Sequence, residues 1–162
     1  MAVQQVSPRH VEPGAGDTFD VLGSIITIKA TGNDTGGAYS LFEGRVPVGL
    51  GTPLHYQTME EESFYVFEGE FTFHINGETV VLGPGGYAMV PRNVVHAFTS
   101  TGDITGRMLI MTTPGGYHEN FFREGGEPVA DVENPGESGP PDFDKLMAAA
   151  NRWGVEILPP AE

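Results

Sequence analysis

The chain has no cysteine among its 162 residues, which excludes disulfide staples, a thiol nucleophile and any thiolate metal site. Basic residues are scarce too: 8 Lys and Arg stand against 22 Asp and Glu, for a net charge of -14. A surface of that sign repels phosphate backbones and anionic headgroups, so neither nucleic acid nor membrane is an expected partner, and the acidity serves solubility. The first 20 residues carry no apolar run of signal-peptide length, and no later stretch approaches a membrane span. A cytoplasmic location is the resulting expectation. Helical periodicity is almost missing before residue 142.

In place of helices the sequence offers turns, with 23 glycines and 13 prolines separating short aromatic or β-branched runs. That rhythm predicts an all-β sandwich or barrel, and the length suits one domain. We divide it into a polar leader and first strand (1–36), a barrel core (37–113), and a flap, connector and terminal helix (114–162). The leader is expected to pack along the barrel or exchange with a partner subunit. Strand-like runs occupy 23–30, 38–46, 62–67, 71–75, 78–82 and 106–113. Asn76-Gly77 between two of them is a strong hairpin signal. Pro114 to Phe122 breaks the strand pattern and reads as a short helix or flap. A Gly/Pro-rich connector from Gly125 to Pro141 follows. Asp142 then reads as a helix N-cap, with Phe143, Leu146, Met147, Ala150 and Trp153 at helical spacing before Gly154. That stripe would dock on the barrel or on a second subunit.

Two stretches carry candidate chemistry. In the first, Gly51 to Gly69, alternation puts His55 and Gln57 on one face and Glu62, Phe64 and Val66 on another. In the second, Gly85 to His96, His96 shares a face with Phe98. Two neutral imidazoles and a carboxylate meeting at an apolar site suit a divalent transition metal with open positions. On residue types alone a plainer account stands beside this one: His55 in a surface loop, Glu62 on a solvated acidic face, His96 as a hydrogen-bonded strand histidine. His74 has the parity of a surface residue and is left out of the site.

The two stretches resemble the two motifs of the cupin superfamily, Gly-x5-His-x-His-x3-4-Glu-x6-Gly and Gly-x5-Pro-x-Gly-x2-His-x3-Asn, over roughly residues 37–113. Gln57 stands where the second histidine belongs, Asn93 replaces a glycine and Ser100 the final asparagine, and Gly51 lies two residues closer to His55 than the pattern has it. The resemblance implies a double-stranded β-helix, the jelly-roll cupin barrel, with a short C-terminal α-helix. It further implies a divalent transition metal (Mn, Fe, Co, Ni or Zn) at His55, Gln57, Glu62 and His96, with Gln57 as a weak ligand, a neighbour of the ligands, or the mark of a lost metal.

Within the superfamily, Pro53-Leu-His55 with Glu60-Glu-Glu-Ser-Phe-Tyr-Val-Phe-Glu-Gly69, then Val90-Pro-Arg-Asn-Val-Val-His-Ala-Phe98 and the terminal Arg152-Trp-Gly-Val-Glu156, resembles small cupins related to quercetin 2,3-dioxygenase. This implies cleavage of a flavonol or related aromatic enol with O2 in a homodimeric protein, Glu62 also serving as the base for the substrate hydroxyl. Phe64, Phe98, Met108, Tyr117, Phe121 and Phe122 are the candidate pocket walls. The same pocket also suits an isomerase, cyclase or dehydratase using Glu62 and a histidine as acid and base, or a cupin that binds a small molecule without chemistry.

Overall fold

A computed structural model describes residues 6–160. Its strands are β1 (Thr18–Val21), β2 (Ser24–Ala30), β3 (Ser40–Val46), β4 (His55–Gln57), β5 (Glu61–Glu68), β6 (Phe71–Ile75), β7 (Glu78–Leu82), β8 (Tyr87–Val90), β9 (His96–Ser100), β10 (Gly106–Thr113), β11 (Glu127–Pro128) and β12 (Val155–Ile157). Helix α1 (His118–Gly125) follows β10, and α2 (Phe143–Trp153) precedes β12. All pairings are antiparallel, in a seven-stranded sheet ordered β11-β1-β2-β3-β10-β5-β8 and a five-stranded sheet ordered β12-β4-β9-β6-β7. The expected jelly-roll architecture with a C-terminal helix is what forms.

Alternation builds the space between the sheets. Along β3 and β10 buried and half-buried residues alternate without a break, and β5 buries Glu62, Phe64 and Val66 while Tyr65 faces out. Phe64, Phe71, Phe73 and Phe98 meet there with ring centroids 5.2–6.1 Å apart in tilted and edge-on contacts. Each such ring contributes about 2–3 kcal/mol by leaving water. The β6–β7 hairpin turns at Asn76 and Gly77, both with positive φ (52° and 81°), as a two-residue primed turn requires.

Three strands lie outside the sequence expectations. The leader before the expected strand at 23–30 contains β1, whose Phe19 is buried against the core; residues 1–5 lie outside the described range. From residue 6 to 17 the leader does follow the barrel, where Lys29 donates to the carbonyls of Glu12 and Ala15. Strands β11 and β12 are two and three residues long, too short for any periodicity to reveal.

Helix α2 is capped as expected, with the Asp142 carboxylate accepting from the Lys145 amide and Gly154 in the left-handed conformation. Its buried face is Leu146, Ala149 and Ala150, packed against α1. Phe143 and Met147, expected in the docking stripe, face solvent at 61% and 38% exposure.

Candidate metal centre and adjoining cavity

His55 and His96 sit opposite each other in the β4–β9 ladder, which brings their ring centroids to 4.3 Å. Glu62 reaches them from the other sheet, on β5. The three side chains are buried, with one ligand atom from each lying within 4.8 Å of the others. Two backbone features hold the frame. A Cβ on Gly51 would come 1.9 Å from the Phe98 carbonyl oxygen, so only glycine lets the approach to β4 run beside β9. Asn93 takes φ 63° in the turn before β9, the left-handed conformation that the cupin pattern gives to glycine, and its amide donates to the Gln57 carbonyl.

The hydrogen bonds fix which way each imidazole faces. Nδ1 of His55 lies 2.9 Å from the Pro53 carbonyl and Nδ1 of His96 lies 2.9 Å from the Val94 carbonyl. A carbonyl only accepts, so both Nδ1 atoms carry protons, and in the neutral rings both Nε2 lone pairs point at Glu62. Nε2 of His96 is 3.0 Å from Glu62 Oε2, and Nε2 of His55 is 4.0 Å from the same atom. Lone pairs facing one another at hydrogen-bond distance in a buried site require a cation between them, either a proton or a metal ion. An imidazole locked by a carbonyl behind it is also how metal-binding histidines are oriented. His55, His96 and Glu62 therefore fit a divalent metal.

Gln57 is placed differently. Its Nε2 donates to Glu62 Oε2 at 2.5 Å, the only orientation a carboxylate permits, since the amide oxygen would repel it. Gln57 thus steadies the ligand carboxylate through its amide nitrogen, which carries no lone pair for a metal.

Electrostatics follow from this packing. Burial pushes the Glu62 carboxyl up, but a proton on His96 Nε2, donated to it, and the charges of His118, His96 and His55 outweigh burial and hold it near 2. The balance therefore falls toward the carboxylate even with a proton as the only cation. Burial, with His96 beside it, pulls His55 down to about 4, so its lone pair is free at neutral pH.

The structure adds a pair that the sequence reading left out. His118, the first residue of α1, brings Nδ1 to 2.6 Å from Glu60 Oε1, and its Nε2 stands 3.9 Å from Glu62 Oε1. Both partners are buried, and the ring packs edge-on against Phe122 at 4.6 Å. Glu60 and Glu62 share parity, the signal that could have found the first. Nothing in the sequence around His118 signals the second, because a helix after a turn has no register with the strands.

Glu62, His55 and His118 border a cavity of about 60 Å³ whose apolar wall includes Phe98, Ile110, Phe121, Phe122 and Leu146. Of the candidate walls, Phe98, Phe121 and Phe122 line this cavity. Phe64, Met108 and Tyr117 do not: Phe64 and Met108 are fully buried in the barrel core, and Tyr117 caps α1 outside the cavity wall. The volume is below the roughly 150 Å³ cavity that takes up benzene, so a ring enters only if wall side chains yield.

A family model described as a cupin domain matches residues 42–112. Over 153 residues the chain is 28% identical to the quercetin 2,3-dioxygenase of Bacillus subtilis (strain 168), covering 94% of this chain and 45% of that protein. The polyketide synthase CurC of Streptomyces cyaneus is 34% identical over 116 residues, covering 70% of this chain and 71% of that one. Among solved structures, an RmlC-like cupin from Shewanella frigidimarina NCIMB 400 superposes with a TM-score of 0.58 at 18% identity, covering 69% of this chain and 96% of the other. The chain spans less than half the length of the quercetin 2,3-dioxygenase it matches.

Proposed function

The chain belongs to the cupin family, and from that premise we propose that it is a metal-dependent dioxygenase cleaving a flavonol or related aromatic enol with O2. The observation that carries this reading is the convergence of the His55 and His96 lone pairs on Glu62. The likeness to a quercetin 2,3-dioxygenase along 94% of the chain supports it. Bound at these three residues, Mn, Fe, Co, Ni or Zn would supply a Lewis acid with open positions for substrate and O2. His55 and His96 hold their Nε2 atoms toward the ion, and Gln57 keeps Glu62 Oε2 in place. Oε1 of Glu62 is left to take the proton of a substrate hydroxyl. Phe98, Ile110, Phe121 and Phe122 exclude water and stack on the ligand ring. The three segments of the chain act as one domain in a cytoplasmic homodimer, to which the solvent-facing Phe143 and Met147 contribute surface.

A second reading is favoured by the Glu60–His118 pair, a histidine backed by its own carboxylate beside Glu62. On that reading the cavity performs an isomerisation, cyclisation or dehydration by proton transfer, without O2. Oxygen uptake decides between them. Metal-replete protein given quercetin is expected to consume one O2 per flavonol lost, whereas substrate turnover without O2 consumption would overturn the dioxygenase reading and leave the second.

A further inference from the structure

We propose that His118 is a substrate-contacting residue: its Nε2 and Glu62 Oε1 together receive one hydroxyl or enolic oxygen of a planar aromatic ligand. The inference deepens the reading above and rests on its placing of the substrate in this cavity.

The geometry points to it in four ways. Nδ1 of His118 is committed to Glu60 at 2.6 Å, which fixes the ring and leaves Nε2 as the atom presented to the cavity. Nε2 has no hydrogen-bond partner among the described residues, and its 3.9 Å separation from Glu62 Oε1 is too long for a direct bond. With Nε2 of His118 also protonated, its N–H donates to an oxygen about 2.8 Å from each atom, and that oxygen's own hydrogen goes to Glu62 Oε1. The remaining wall near the pair is apolar, with Phe121, Phe122 and Ile110 placed to meet a ring. Two buried carboxylates beside the gap, Glu60 and Glu62, disfavour an anionic ligand such as a phosphate or a carboxylate. What fits is a ligand with one polar edge and an apolar body, an enol or a phenol. Glu60 then acts as a positioning residue, holding the imidazole as a carboxylate holds the histidine of a catalytic triad.

The test measures binding rather than turnover, by equilibrium dialysis of metal-replete protein without oxygen. The probes are 3-hydroxyflavone and flavone, which differ by the one hydroxyl. The wild type is expected to prefer 3-hydroxyflavone by about tenfold or more. In His118→Phe the preference falls toward one at unchanged metal content. His118→Asn, a smaller change that keeps a donor for Glu60 but stops short of the gap, loses it similarly. A preference unchanged in either variant, or absent from the wild type, overturns the proposal. Failure of oxygen uptake with flavonols sinks the dioxygenase reading alone, and the binding ratios still decide the role of His118.

Discussion

Two histidine–carboxylate pairs adjoin in this barrel, and they are built to opposite ends. In Glu60–His118 a donor meets an acceptor: Nδ1–H faces Oε1 at 2.6 Å and the contact is complete. In Glu62–His96 two acceptors face each other at 3.0 Å, because the only proton of the neutral ring is spent on the Val94 carbonyl. The carboxylates are two residues apart on one face, so what separates the pairs is the element behind each imidazole. The start of β9 presents Nε2 of His96 with Nδ1 already engaged by the Val94 carbonyl, whereas a helix start presents Nδ1 of His118. One pair is a finished internal contact that aims a side chain; the other is incomplete without a cation.

The largest effect is expected from breaking the incomplete pair. Glu62→Ala removes the one anionic ligand and should lower divalent metal affinity by more than 100-fold, read by competition with a chelator. Without metal the same variant should still fold, losing what the Gln57 and His96 contacts to that carboxylate contribute. Breaking the finished pair should instead appear in stability. Glu60→Leu strands a buried imidazole and should cost about 3–5 kcal/mol in urea unfolding, with a smaller effect on metal binding.

Acid should separate the pairs further. His55 has a folded pKa near 4 against an ordinary 6.5, so the unfolded chain binds the proton more readily. Metal-free protein therefore loses stability as pH falls from about 6.5 to 4, by up to about 3 kcal/mol. Glu62, near 2 in the fold, adds a loss below about 4.5. For His118 burial opposes protonation, but Glu60 overrides it and raises the pKa, so its contribution is present below 6.5 and fades as pH rises through the folded value. Unfolding curves of wild type and His55→Ala should accordingly differ in slope between pH 6.5 and 4, the variant being flatter. The smallest effect concerns Gln57: Gln57→Leu removes the donor that steadies Glu62 and should weaken metal binding by about tenfold.

Much of the fold was legible because strand alternation and the Asn76-Gly77 turn are local signals. The candidate site was legible as far as its motifs reach, namely His55, Glu62 and His96. Depth was not. Met108 and Ile110 alternate onto the buried face of β10, and the β5–β10 register sets Met108 against Val66, Ile110 against Phe64 and Thr112 against Glu62. The cavity is lined by Glu62 and Ile110 but not by Phe64, the partner of Ile110 across the ladder, nor by Met108 one step further along; both are buried in the core. His118 stayed hidden because its position depends on how α1 folds back over the barrel end, a tertiary fact with no sequence period. Gln57 was recognisable as a departure, but its role as a donor to Glu62 needed the side-chain geometry.

The centre formed by His55, His96 and Glu62 needs a cation, and metal content is its plainest test. Protein purified without chelators should carry about one transition metal per chain, and His55→Ala should lose it. A wild-type protein that arrives without metal and takes up none of Mn, Fe, Co, Ni or Zn would mean that these three residues hold no metal.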